Sequence, residues 1–260
     1  MINSPAPLRF QIRELPQTES TFTYLRTLCE QEPDLPSGTV ITSQYQTRGR
    51  GQAGNSWFST SGLNLLPSLF LRHFSLPVAQ VWSLSEMVAL AVADTVAHFY
   101  RGGSEVQIKW PNDILLGGKK ISGILIATDF SADGTAVERM IAGIGVNVNE
   151  ANFPPELPQA TSLLIETGQT HPLMPVLHRL LGYIGHYAGL LFASDGAETL
   201  HRLYLKRLFG RGSEGRYVHV ATGEPFTAAI REVTPGGELV LCTTQGQERR
   251  YRFKEVQYLY

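Results

Sequence analysis

The chain has 260 residues, of which 43% are hydrophobic and 17% charged, and its formal net charge is −1. This composition favours a folded protein with a sizeable core, and the length suits one large domain or a large domain with a small one attached. The balanced charge excludes bulk attraction to nucleic acid, and Cys29 and Cys242 form no zinc or disulfide pattern. Residues 1–10 show no signal-peptide pattern and no apolar run is long enough to span a membrane, so we expect a cytoplasmic protein.

The first part of the chain mixes predicted helices and strands. Apolar spacing predicts a helix over Ser20–Gln31 with hydroxyls at its N-terminal end. A capping box over Ser83–Glu86 predicts the start of a second helix. Pro67 makes the strand around it an edge or bulged strand, and Gly117-Gly118 predicts a two-residue hairpin turn. The predicted strands are Thr39–Gln46, Leu63–Leu71, Val106–Lys109, Asp113–Leu116, Lys120–Ala127 and Arg139–Val148.

The last part of the chain changes from helical to strand patterns. A helical pattern covers Pro175–Phe192, and a further helix ends near Phe209. The segment Gly210–Gly215 has the composition of a linker, which divides the chain into residues 1–210 and 211–260. Short strands separated by glycine turns then predict a small barrel of SH3 size. These strands are Tyr217–Val220, Phe226–Val233, Glu238–Thr243 and Glu248–Phe253.

A glycine-rich loop at Thr47–Asn55 contains the pattern GxGxxG. A dinucleotide-binding site would need a helix directly after this loop and an acidic residue about 20 residues later. Poor helix formers follow instead, and no Asp or Glu occurs between Asp34 and Glu86. The loop carries Arg48 and Arg50 without a nearby acid, so it is either an anion site or a solvated turn.

A second group of unusual residues lies in the central strands. Lys120 opens an otherwise apolar strand, which is costly unless an anion meets the ammonium group. Gly123 weakens a strand interior but lets a ligand approach the backbone. Asn147 and Asn149 end a strand with amides, which bind a heterocycle or, more often, cap a turn.

Four motifs together, in this order, resemble the biotin–protein ligase family. They are Gln46–Trp57, Lys109–Asp113, Gly118–Leu125 and Gly143–Asn147, and Ser20-Thr21 lies upstream where the family has biotin-binding hydroxyls. The resemblance covers about residues 11–210, and the final barrel matches only in size and position. It implies an α+β fold: a mixed β-sheet with helices packed on one face, then a small SH3-like β-barrel.

The resemblance also implies an activity. Such ligases use ATP, with Mg²⁺, to activate biotin as biotinyl-5′-AMP. They then transfer it to a lysine of the biotin carboxyl carrier domain of acetyl-CoA carboxylase or a related carboxylase. We expect a monomer or homodimer. Since Ser20 leaves no room for a winged-helix domain before it, we expect no binding to nucleic acid, and we expect none to membranes.

Site residues follow from the same resemblance. Lys120 and Arg50 are the catalytic cations at the reacting phosphate, and no protein side chain is assigned as a metal ligand. The biotin-binding set is Ser20, Thr21, Gln46, Gly49, Arg50, Gly51, Gln52, Lys120 and Gly123. The ATP and adenylate set is Arg50, Trp57, Asn112, Asp113, Lys120 and Asn147.

Two residues depart from the family pattern. Phe22 stands where the family usually has asparagine, and Gln52 stands where many relatives have a second arginine. We expect Gln52 to hold the adenylate less tightly, because it keeps a hydrogen bond but loses a charge.

Two alternative functions remain at this point. A lipoate or octanoate transferase shares the fold, but its RRxxGGGxVxH motif is absent. A biotin- or nucleotide-sensing module that has lost catalysis would have little use for both Arg50 and Lys120.

Overall fold

A seven-stranded mixed sheet forms the larger part of the molecule. The computed structural model describes residues 8–259, without the side chains of Ala53 and His73, so most of the segment considered for a signal peptide lies outside it. The strands are β1 (Gln11–Leu15), β2 (Thr39–Ser43), β3 (Ser68–Pro77), β4 (Val106–Lys109), β5 (Asp113–Leu116), β6 (Lys119–Phe130) and β7 (Ala136–Val146). Their order across the sheet is β1-β2-β3-β7-β6-β5-β4. β1 and β2 run parallel, and the other neighbours are antiparallel.

Helices cover both faces of this sheet. The helices are α1 (Thr21–Gln31), α2 (Trp82–Phe99), α3 (Leu163–Thr167), α4 (Leu173–Leu191) and α5 (Gly196–Lys206). Successive strand residues point to opposite faces. Leu69 and Leu71 of β3 belong to the main core with α2 and α4, whereas Phe70 packs with Leu25 and Leu28 of α1 in a separate cluster. The prediction of helices on one face is therefore wrong, because the apolar stripe of α1 covers the opposite face of β2, β3 and β7.

The local signals of the sequence have mixed outcomes. Gly117 and Gly118 both have positive φ, 58° and 81°, as the predicted hairpin between β5 and β6 requires. The capping box is wrong, because α2 begins at Trp82 and the Ser83 hydroxyl donates to the Gln80 carbonyl. β3 lies inside the sheet, so the prediction of an edge strand is wrong, but its pairing with β7 has a register shift between Arg72 and Leu76, as a bulged strand does. The Ile144 N–H donates to the Pro67 carbonyl over 2.9 Å, and the reciprocal bond is missing because proline has no N–H.

A smaller antiparallel sheet follows the helices. Its strands are β8 (Glu214–His219), β9 (Pro225–Val233), β10 (Leu239–Thr243), β11 (Glu248–Tyr251) and β12 (Val256–Leu259). Their order is β11-β10-β9-β8-β12, and within residues 8–259 the outer strands β11 and β12 form no ladder that would close the sheet. Four of the five strands match the predicted segments to within a few residues. The predicted domain boundary near Gly210 stays a prediction.

The smaller sheet packs directly on the larger one. The Trp110 indole N–H donates to the Gly237 carbonyl over 2.9 Å, and Ile108 of β4 forms a bridge with Leu208. Tyr217 and Leu239 of the small sheet belong to the same apolar core as α2 and α4. This packing places β12 beside the end of β4, where it can form a wall of a shared cavity. Within the described part of the chain, no helix is both long and apolar enough to cross a membrane.

Candidate active site

A cavity of about 530 Å³ lies over the sheet face that α1 partly covers. Gly123, Gly143 and Gly145 of β6 and β7 line its floor. They lie on the same face as Ile141, which packs with α1. The other walls come from the start of α1, the glycine loop, the β4–β5 turn and the small sheet.

Most of the predicted site residues line this one cavity. The eleven that do so are Ser20, Thr21, Gln46, Arg50, Gly51, Gln52, Trp57, Asn112, Asp113, Lys120 and Gly123. Gly49 and Asn147 do not. Gly49 is a buried residue of the loop, where an added Cβ would come within 2.6 Å of the Trp57 carbonyl oxygen. Asn147 is buried and donates its amide to the Thr161 carbonyl over 2.9 Å.

One end of the cavity is polar and neutral. The Thr21 backbone N–H donates to Oε1 of Gln46 over 2.7 Å, and the Thr21 hydroxyl donates to the same oxygen over 3.1 Å. The Thr21 hydroxyl also lies 2.9 Å from that of Ser68, which is fully buried. Because Oε1 of Gln46 already accepts two hydrogen bonds, its amide nitrogen is the group left for a ligand. Ser20 caps α1 through Thr23 and lines the cavity as well.

The other end of the cavity is cationic. Four basic side chains (Arg50, Lys109, Lys120 and Lys254) line it, and Asp113 is the only carboxylate among the described lining residues. Nζ of Lys120 lies 2.7 Å from Oδ1 of Asp113. The sequence predicts that an anion meets the Lys120 ammonium group, and in the structure that anion is the Asp113 carboxylate. No described carboxylate pairs with Arg50, which is exposed on the loop.

Lys109 sits deeper in the same cationic end. Burial lowers its pKa, and the nearby carboxylate of Asp113 opposes this shift. Its ammonium group lies 4.8 Å from the ring centroid of Tyr258, so the small sheet contacts a cation of the large one. A partly desolvated ammonium interacts more strongly with an incoming anion than one in bulk water does.

Trp57 lies between the two ends. Its indole covers Gly123 and Gly145: a Cβ added at Gly123 would lie 2.8 Å from Cζ3 of the ring, and one at Gly145 would lie 2.7 Å from Nε1. The Lys120 ammonium group is 5.6 Å from the ring centroid. Nε1 of Trp57 is buried without a hydrogen-bond partner among the described residues. A buried indole N–H normally has a partner, so this group is available to a ligand or a water molecule.

Sequence reasoning assigned no role to several residues that line the cavity. Ser68 is a hydroxyl-bearing residue in an otherwise apolar strand, and this pattern could have indicated a site residue. Gly143 and Gly145, two residues apart in one strand, also predict a face that a side chain or a ligand approaches closely. Nothing local in the sequence indicates that Lys254 and Tyr258 of the small sheet reach the site, because their approach depends on how the two sheets pack.

Comparisons with known proteins agree with this architecture. Residues 14–147 match the model of the Biotin/lipoate A/B protein ligase family. The chain is 33% identical over 222 residues to the Bifunctional ligase/repressor BirA of Bacillus subtilis, covering 84% of this chain and 66% of that protein. It is 36% identical over 159 residues to the Biotin--[acetyl-CoA-carboxylase] ligase of Mycobacterium tuberculosis, covering 59% of this chain and 55% of that protein. The chain thus spans less than two thirds of the length of these relatives.

A solved structure shows the same fold over the whole length. The biotin protein ligase from Aquifex aeolicus, in complex with biotin and ATP, superposes with a TM-score of 0.75 at 24% identity. The match covers 95% of this chain and 98% of that one, so it includes the small sheet. With the family model matched over more than half of its residues, the chain belongs to the biotin/lipoate A/B protein ligase family.

Proposed function

We propose that this protein is a biotin–protein ligase. It activates biotin with ATP as biotinyl-5′-AMP and transfers the biotinyl group to a lysine of a biotin carboxyl carrier domain. The observation that carries the proposal is a single cavity with a neutral hydrogen-bonding end and a cationic end. The reaction needs two cations, and Arg50 and Lys120 both line that cavity although they are far apart in the chain.

The polar end suits the ureido ring of biotin. That ring presents one carbonyl acceptor and two N–H donors in a plane. The Gln46 amide nitrogen can donate to the carbonyl, and the hydroxyls of Ser20 and Ser68 can accept from the N–H groups. A lipoyl chain ends in a dithiolane ring that makes no such hydrogen bonds. The hydroxyl and amide cluster therefore supports biotin over lipoate or octanoate as the substrate.

The cationic end suits the first half-reaction. A biotin carboxylate oxygen attacks the α-phosphorus of ATP, a new O–P bond forms, and pyrophosphate leaves with the electrons of the broken bond. Carboxylate and triphosphate repel each other, so fixed positive charge is needed where they meet. Arg50, which no described carboxylate neutralises, and Lys120, which Asp113 holds in place, supply that charge. Their roles, and those assigned to Asn112 and Asn147 around the nucleotide, are parts of this proposal.

The second half-reaction breaks the mixed anhydride. The neutral amine of the acceptor lysine attacks the biotinyl carbonyl carbon, and an amide C–N bond forms as the acyl C–O bond breaks. AMP departs with the electrons of that bond, and the amine loses one proton to solvent. Arg50 and Lys120 again neutralise the charge that develops on the leaving phosphate. A sensor that only binds biotin would gain nothing from two cations beyond its neutral end, which favours a ligase over a sensor.

A magnesium ion fits this site in one way. Mg²⁺ is usually held by one or two carboxylates together with substrate phosphates and water. Asp113 is the one carboxylate that the described lining offers, and no group of three or more metal-ligating acidic, His or Cys side chains lies within the described residues. We infer that Asp113 would be the one side-chain ligand of a Mg²⁺ ion bound together with the triphosphate. The ion would shield the phosphate charges.

The small sheet completes the architecture of the proposal. We infer that β8–β12 form the SH3-like barrel expected from the sequence, with residues 211–260 as its domain. The whole-length similarity to the Aquifex aeolicus structure supports this assignment. In the same proposal, Phe253, Lys254 and Tyr258 close the nucleotide side of the cavity.

Biotin-dependent exchange of labelled pyrophosphate into ATP tests the first half-reaction. We expect exchange with biotin and none with lipoate. Replacing Arg50 with alanine should lower the exchange rate by about 10²–10³-fold, the usual effect of losing one preorganised charge donor. Arg48→Ala is the matched control, because Arg48 lies on the same loop but does not line the cavity. Biotin binding without exchange in the wild-type protein would support the sensor instead.

A further inference from the structure

The side chain of Phe22 occupies an unexpected place at the neutral end of the cavity. It directly follows Ser20 and Thr21 in the first turn of α1 and lines the cavity with them. Its ring lies on Gly143, where an added Cβ would be 3.0 Å from the ring Cδ2 atom. The residue also packs against the apolar cluster of Leu25 and Phe70. The side chain is therefore in contact with both a strand backbone and an apolar core.

The strand register shows what surrounds this ring. Gly143 of β7 is paired with Ser68 of β3 on one side and with Leu125 of β6 on the other. All three line the cavity, so the row runs from a hydroxyl through the phenyl ring to a leucine side chain. The hydrogen-bonding groups lie on the Ser68 side, where Thr21 and Gln46 meet it. Phe22 and Leu125 thus form an apolar wall next to the polar cluster.

We propose that Phe22 makes this site selective for the unoxidised thioether ring of biotin. The inference rests on the biotin-ligase function proposed above. The ureido ring occupies the hydroxyl and amide cluster, so the fused sulfur ring faces the wall of Phe22 and Leu125. A thioether sulfur is a weak acceptor that packs well against aromatic rings. A sulfoxide oxygen is a strong acceptor, and an apolar wall has no donor for it.

Binding of biotin and of biotin sulfoxide, measured by titration calorimetry, tests this proposal. Leaving a buried acceptor unpaired should lower the affinity of the wild-type protein for the sulfoxide by about ten- to hundredfold relative to biotin. Phe22→Leu keeps the wall apolar and should keep this ratio. Phe22→Asn places an amide donor there and should reduce the ratio to about threefold or less. Phe153→Asn is the matched control, since Phe153 pairs with Phe58 and does not line the cavity.

The outcomes separate this inference from the function on which it rests. An equal affinity of the wild-type protein for both ligands, or an unchanged ratio in Phe22→Asn, would overturn the role of Phe22 while leaving biotin activation intact. Failure of the wild-type protein to bind biotin would overturn both proposals. If circular dichroism shows that Phe22→Asn is unfolded, Leu125→Asn decides, because it places an amide donor in the same apolar wall. A ratio unchanged in Leu125→Asn would then contradict the proposal.

Discussion

Gly145→Ala is a small change with a large expected effect on the cavity. A Cβ at this position would lie 2.6 Å from Cζ2 and 2.7 Å from Nε1 of the Trp57 indole. Carbon atoms in contact are about 3.5–4.0 Å apart, so the ring must retreat by about 1 Å or more. The ring lies against the sheet between the neutral and cationic ends of the cavity. Its retreat therefore moves the glycine loop and changes the shape of the cavity next to Lys120.

The magnitude follows from how sensitive catalysis is to position. A misplacement of about 1 Å can reduce a rate by about 10²-fold, which corresponds to about 2.7 kcal/mol in the activation barrier. We therefore expect biotin-dependent pyrophosphate exchange to fall by about a hundredfold. The fold itself should persist, because alanine is a normal strand residue in its backbone conformation.

The assay combines exchange rates with tryptophan fluorescence and circular dichroism. Gly182→Ala in α4 is the matched control, because an added Cβ meets no atom within 4 Å there. It should leave exchange unchanged and stabilise the helix by about 1 kcal/mol. Exchange within about twofold of wild type in Gly145→Ala, with an unchanged tryptophan emission, would refute the claim that the indole position matters.

Three further predictions concern the loop, the sheet interface and a buried ion pair. Gln52→Arg adds a charge beside the adenylate and should slow biotinyl-5′-AMP release by about tenfold, and equal release rates would contradict the idea. Trp110→Phe removes the hydrogen bond to Gly237 and should lower the free energy of unfolding in urea by about 1 kcal/mol. Glu86 bonds to His201 over 2.6 Å and raises the His201 pKa above its usual 6.5, and burial raises the Glu86 pKa. Because the folded state holds these protons more tightly, stability should fall as the pH rises above the ordinary histidine pKa of 6.5, with a flatter dependence in Glu86→Gln.

Local signals predicted the elements that depend on local chemistry. The β5–β6 hairpin follows from two adjacent glycines that adopt positive φ without strain. Helix α1 follows from its apolar stripe and the Ser20 cap. Strand β1 could not be predicted in the same way, because its burial pattern does not alternate. Its partner β2 runs parallel to it and follows only after helix α1, so no local turn indicates the pairing.

The site shows the same limit more clearly. That Lys120 needs an anion was predictable, but its partner Asp113 was not, since their contact arises from the register across the hairpin. That Arg50 and Lys120 line one cavity was expected from the family resemblance and not from periodicity. Asn147, expected in the ATP and adenylate set, donates its amide to the Thr161 carbonyl, and its role in nucleotide binding stays a prediction.

The most direct test of the account is intact-mass spectrometry of a purified biotin carboxyl carrier domain incubated with this protein, biotin and MgATP. We predict that the acceptor gains the mass of one biotinyl group with the wild-type protein, and that Lys120→Ala abolishes this gain. Lys119→Ala should behave as wild type, because this neighbouring lysine is exposed and does not line the cavity. An acceptor that stays unmodified by the wild-type protein, or that Lys120→Ala modifies at the wild-type rate, would contradict the central claim.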